Sequence, residues 1–165
     1  MRQQIYFILF LSACVNEPTK EPITNKQICS GTTDGFYCAV EKMNEALGCD
    51  WFKLHNATIT SPNNRIGIIV MALGQGHAAQ YDLYENPRTE FILVDKEIED
   101  QTEIAIYMLH ELGHVVGLKY NGDAHSQDPH SLMYFQIKKS EMTEEAFDKF
   151  KIDLQSQVSY LCTEL

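Results

Sequence analysis

Basic residues are the scarce class in this sequence: 13 Lys and Arg stand against 23 Asp and Glu, a net charge of −10. They form no block, so the chain lacks the electrostatic footprint of a nucleic-acid binder, and no nucleic-acid partner is expected. The acidity is spread along the chain and reads as a solvated surface. A membrane-spanning run is missing as well. The apolar stretch at residues 5–11 is too short to cross a bilayer as a stable helix. No Cys-x-x-Cys spacing occurs among the five cysteines, which argues against a cysteine zinc site. No internal repeat is apparent. What remains is 165 residues, 44% of them apolar. That is enough for the core of one domain.

The start of the chain reads as a targeting segment. Met1-Arg2 supplies positive charge and residues 5–11 an apolar centre, the pattern of an export signal. The run ends in Leu11-Ser12-Ala13-Cys14, which resembles the lipobox of bacterial lipoproteins. That resemblance implies cleavage after residue 13 and acylation of Cys14, leaving the protein exported and lipid-anchored to a bacterial membrane. The competing reading is an ordinary secretory signal cut near Ala13. Residues 14–28 then form the lipidated cysteine and a polar tether with Pro18 and Pro22, and residues 29–165 the folded domain. With Cys14 set aside, Cys29, Cys38, Cys49 and Cys162 remain. Four cysteines in an exported chain suggest two disulfides, with three possible pairings. Cys38 and Cys49 flank one expected helix, while Cys29 and Cys162 lie near the domain's ends. The pairing expected is Cys38–Cys49 with Cys29–Cys162.

Asp34 can cap a helix that runs to about Leu47 and stops at Gly48. Residues 51–60 suit a strand, Asn63-Asn64 a turn, and residues 66–71 a strong strand. Residues 74–87, with glycines, tyrosines and His77, read as a long loop bordering a cleft. Residues 91–94 form another strand. Asp100 and Glu103 make a capping box for a helix to about Gly117. Thr143 can cap a last helix, on which Phe147, Phe150, Leu154, Val158 and Leu161 recur at helical spacing and face the core.

The chemistry concentrates on the helix after Asp100. Its residues include His110-Glu111-Leu112-Gly113-His114. Histidines four apart share one helix face, about 40° apart, and can bind one metal; Glu111 lies at about 100°. Ile104, Ala105, Met108, Leu112, Val115 and Val116 form the opposite, apolar face. Neutral imidazole suits zinc, and Glu111 can act as a base beside it without being a ligand. The rival reading is a chance His-Glu-x-x-His on a surface helix.

Continued to Gly117, the segment resembles the zinc helix of metzincins, above all the matrixin branch, whose motif is His-Glu-x-x-His-x-x-Gly-x-x-His with a Met-turn after it. The resemblance implies an α+β, zincin-like domain: a small twisted mixed sheet on the zinc helix, with N- and C-terminal helices. It also implies one Zn2+, Glu111 as catalytic base and peptide-bond hydrolysis. The chain departs from the motif in one place. The third histidine is due at position 120, which is Tyr120. Counting back from the stretch His125-Ser126-Gln127-Asp128-Pro129-His130-Ser131-Leu132-Met133-Tyr134, which resembles the matrixin Met-turn, selects His125 instead. An insertion around residues 119–123, turning at Asn121-Gly122, accounts for the shift. The expected ligands are therefore His110, His114 and His125, with Tyr120 as the lesser alternative and Asp123 or His130 behind it. Met133 is expected beneath the metal as a packing residue, and Tyr134 in a substrate pocket. His55 and His77 fit no second metal pattern, and no second structural metal is expected. No latency segment is evident. The resulting expectation is a monomeric zinc endopeptidase acting on peptide or protein substrates. The rival is a catalytically inactive metzincin-like lipoprotein that binds peptides or partners.

Overall fold

The computed structural model describes residues 27–73, 78–85 and 88–163. The expected signal, Cys14 and most of the expected tether lie outside the described residues, as does His77. Folded structure is already present at the tether's end. Ile28 is fully buried and donates its N–H to the Met142 carbonyl, while Gln27 bridges Thr143.

Among the described residues, three α-helices and five strands come in the order α1 (Gly35–Leu47), β1 (Lys53–His55), β2 (Thr58–Thr60), β3 (Arg65–Met71), β4 (Ala79–Glu85), β5 (Arg88–Asp95), α2 (Gln101–Val115) and α3 (Glu144–Val158). The strands form one mixed sheet in the order β1-β2-β3-β5-β4. Only β3 and β5 run parallel, with Ile66 opposite Glu90 through Met71 opposite Asp95. This is the α+β architecture expected of a zincin-like domain.

Local chemistry fixes most boundaries. Asp34 accepts the Tyr37 N–H and caps α1, and Gly48 ends it in the left-handed conformation (φ 82°). Asp100 accepts from Thr102 and Glu103 at the start of α2. Thr143 accepts from Ala146 at the start of α3. The core lies between the helices and one sheet face, where Met43, Phe52, Ile66, Ile92, Met108, Leu112, Phe147 and Phe150 are buried.

Two expectations are revised. Residues 51–60 are not one strand but the hairpin β1–β2, because the chain turns at Asn56 (φ 54°). Within residues 74–87, β4 pairs antiparallel with β5 along its described length and forms the sheet's outer edge.

The disulfides also differ from expectation: they join Cys29 to Cys38 and Cys49 to Cys162. Helix geometry forbids a Cys38–Cys49 bridge. The helix rises about 1.5 Å per residue, which separates its two ends by well over the roughly 7 Å that a disulfide tolerates between Cα atoms. Cys38 sits in the first turns of α1 and Cys49 beyond its end, so each must find a partner elsewhere.

Candidate metal centre and cleft

Helix α2 carries the first part of the site. Its apolar face packs on α1 and the sheet, which turns His110, Glu111 and His114 toward the β4 side. The helix stops where the sequence needs it to. Gly117 (φ 81°) donates to the His114 carbonyl and Leu118 to the Gly113 carbonyl, the paired bonds of a Schellman C-terminus. The chain is thereby sent off the helix immediately after His114.

Beyond it lies a tight hairpin. Tyr120 and Asp123 exchange backbone hydrogen bonds of 2.7 and 2.9 Å around Asn121 (φ 53°) and Gly122 (φ 89°). Both central residues are left-handed, the signature of a type I′ turn that Asn-Gly favours. The hairpin returns the chain to α2 and brings His125 against the other two histidines. The ligand atoms of His110, His114 and His125 all lie within 4.8 Å of one another. The Nε2 atoms of His110 and His114 are 3.0 Å apart. The His125 ring stacks on that of His110 with centroids 5.3 Å apart.

This donor set fits zinc. Two nitrogens at ~2.0–2.1 Å from one tetrahedral ion stand about 3.3 Å apart, close to the His110–His114 separation. The Nδ1 of His110 lies 2.7 Å from the Leu132 carbonyl, which leaves Nε2 facing the other rings. Burial holds the His110 pKa down to about 3, against the opposing pull of the Leu132 carbonyl. Burial likewise lowers His114 to about 4, with the neighbouring His125 adding to the effect. Both rings are therefore neutral and available as ligands across the physiological range. Among the described residues no other cluster of metal-ligating side chains forms.

Glu111 stands beside this triad in the same cleft, only 6% exposed. Burial raises its pKa to about 7; the Tyr81 backbone N–H opposes the shift and the Asp82 charge adds to it. A carboxyl poised near neutrality can both take and return a proton. The bond from Tyr81 also ties the carboxyl to the edge strand β4.

Met133, in the expected Met-turn, is fully buried. A Cβ on Gly113 would meet its Sδ at 2.4 Å, so the zinc helix and the Met-turn touch only because residue 113 has no side chain. The turn is held by Ser126 N–H to the Met133 carbonyl and Met133 N–H to the Ser131 hydroxyl.

Tyr120, the alternative third ligand, is turned away. Its hydroxyl donates to Asp153 on α3 at 2.8 Å, and burial together with that carboxylate raises its pKa. Asp123 and His130 lie outside the triad as well: Asp123 accepts the His125 N–H, and the His130 N–H donates to Asp128. The Tyr134 ring packs at a tilt against Phe135 and is not among the side chains that line the cleft. The wall there consists of residues 135–138, with Tyr107 from α2. No motif marks Tyr107, although it lies one helical turn before Glu111 on the same face, and that spacing is the signal that could have found it. The cleft measures ≈ 590 Å³ and runs between this wall and residues 78–81 of the β4 side.

The fold and site together define a metzincin-type domain. The matrixin family model matches residues 50–156, and the chain belongs to the matrixin family. No curated protein and no solved structure matches the chain significantly. The family points to zinc-metallopeptidase-type chemistry, and three convergent histidines that can hold a metal agree with it.

Proposed function

We propose that the protein is a zinc-dependent endopeptidase that hydrolyses peptide bonds in protein substrates. One observation carries the reading: three imidazoles converge beside a buried carboxyl in one open cleft. His110, His114 and His125 would hold a single Zn2+. Zinc bound there supplies Lewis-acid chemistry, lowering the pKa of a water and polarising a carbonyl. Glu111 takes the proton from the attacking water and passes it to the leaving amine, a role its raised pKa suits. The edge strand β4 lies along the cleft that Glu111 lines, and sheet-edge pairing there would carry an extended substrate chain past that carboxyl. Tyr107 and residues 135–138 face the substrate from the other side.

Two single variants test this. Glu111→Ala should keep stoichiometric zinc after dialysis and cut hydrolysis of an unfolded protein by about 100- to 10,000-fold. His125→Ala should lose the zinc itself, because two protein ligands remain where a catalytic site uses three. Parental hydrolysis in Glu111→Ala would contradict the base assignment. Stoichiometric zinc without cleavage in the parent would favour the inactive, partner-binding reading.

We propose further that the protein is exported and held at a bacterial membrane by a lipid on Cys14. The apolar run, the small residues before Cys14 and a domain closed by two disulfides support this.

A further inference from the structure

The hairpin that delivers His125 needs something to hold it in place. A loop free to move must be ordered whenever a ligand binds, and that ordering lowers affinity. Three contacts fix this one. Asp123 accepts the His125 N–H at 3.1 Å. From α3, Gln157 accepts the Lys119 N–H at 3.0 Å and Asp153 accepts the Tyr120 hydroxyl at 2.8 Å. Asp153 and Gln157 are one helical turn apart, so a single face of α3 meets the hairpin.

The backbone of Tyr120 also closes the turn itself, exchanging hydrogen bonds of 2.7 and 2.9 Å with Asp123. One side chain therefore ties the hairpin that carries His125 to α3.

We infer that Tyr120, anchored by Asp153, is a positioning residue that presents His125 to the metal. The inference rests on the metal-centre reading above. Tyr120 occupies the place where the zinc-helix motif puts its own third histidine, and here it supports the displaced one. A purely structural role would lower stability without changing metal affinity, so affinity and local order are the readouts.

Zinc affinity is measured by chelator competition in Tyr120→Phe, Asp153→Ala, Asp153→Asn and the double variant Tyr120→Phe/Asp153→Ala. Partners of metal ligands typically contribute 10–100-fold, so Tyr120→Phe and Asp153→Ala should each weaken zinc by about tenfold. The double variant should be no weaker than either single one, since the pair acts as a unit. Asp153→Asn keeps an oxygen to accept the hydroxyl proton and should bind zinc nearly as the parent does. Amide hydrogen exchange is measured in parallel on metal-free protein. Tyr120→Phe should speed exchange at Asp123 and His125 while leaving the middle of α2 unchanged. Parental affinity in Tyr120→Phe, equal losses in Asp153→Asn and Asp153→Ala, or unaltered exchange at Asp123 and His125 would each overturn the inference. A parent that takes up no zinc would overturn the metal-centre reading itself, and the exchange measurement does not depend on that outcome.

Discussion

Gly113 shows how one missing side chain can carry a site. The helix needs it between two catalytic-motif residues, and any Cβ there would strike the Met133 sulfur at 2.4 Å. The sulfur has little room to retreat: Met133 is fully buried, and Phe150 lies 3.4 Å from the same Cβ position. Gly113→Ala should therefore act as an overpacking substitution costing roughly 1–3 kcal/mol, despite alanine's better helix propensity. Thermal unfolding of metal-free protein would register it, and an unchanged or raised Tm would mean that the Met-turn can yield. His110 and Glu111 show a second residue-scale effect. Burial moves the two groups in opposite senses, holding the imidazole neutral and pushing the carboxyl up toward neutrality. One desolvated cleft thus holds both a neutral imidazole able to ligate a metal and a carboxyl able to exchange a proton near neutrality.

At the scale of elements, the site depends on where α2 ends and on the hairpin beyond its end. Gly117 is left-handed with open space around its Cβ position, so the cost of a side chain there is conformational alone. Gly117→Ala should cost roughly 1–2 kcal/mol and lower Tm by several degrees, readable by thermal melts in the metal-free state. A silent substitution would show that the Schellman turn is not what sends the chain from His114 to the hairpin. The edge strand β4 is the element least visible in the sequence. Gly74, Gly76 and Pro87 around it read as loop signals, and they masked a true alternation: Ala79, Tyr81 and Leu83 interleave with Gln80 and Asp82. Pairing with β5 supplies the stabilisation that composition did not advertise.

For the whole molecule, the two disulfides divide the work unequally. Cys29–Cys38 closes a separation of 9 residues, whereas Cys49–Cys162 closes 113 and ties the chain's last turn to the end of α1. Constraint of the unfolded chain grows with loop length, so the longer closure should matter more. Replacing Cys49 and Cys162 together by Ala should cost about 2–5 kcal/mol, and replacing Cys29 and Cys38 less. Denaturant unfolding of both pairs gives the comparison, and a reversed order would refute the argument. The anchor proposal belongs to this scale too. Cys14→Ser should release the protein from the membrane fraction or arrest its processing; unchanged membrane association would exclude lipidation at that residue.

The sequence by itself determined the helices, their caps and the central strand pair, because these arise from local periodicity and capping chemistry. It also determined the His-Glu-x-x-His face, since helical spacing alone places those side chains together. The matrixin membership was likewise legible, through the zinc helix and the Met-turn stretch. The correct disulfides were only half legible: the rise of α1 excludes Cys38–Cys49, but nothing local selects Cys162 as the partner of Cys49. Counting back from the Met-turn stretch selected His125, whereas the spacing of the helix motif alone pointed to Tyr120, and the tertiary structure brings His125 against His110 and His114. The I′ turn at Asn121-Gly122 and the pull of Asp153 on Tyr120 settle the matter in space. They send the phenol toward α3 and the imidazole toward the zinc helix, and that choice depends on an α3 residue 33 positions further along the chain.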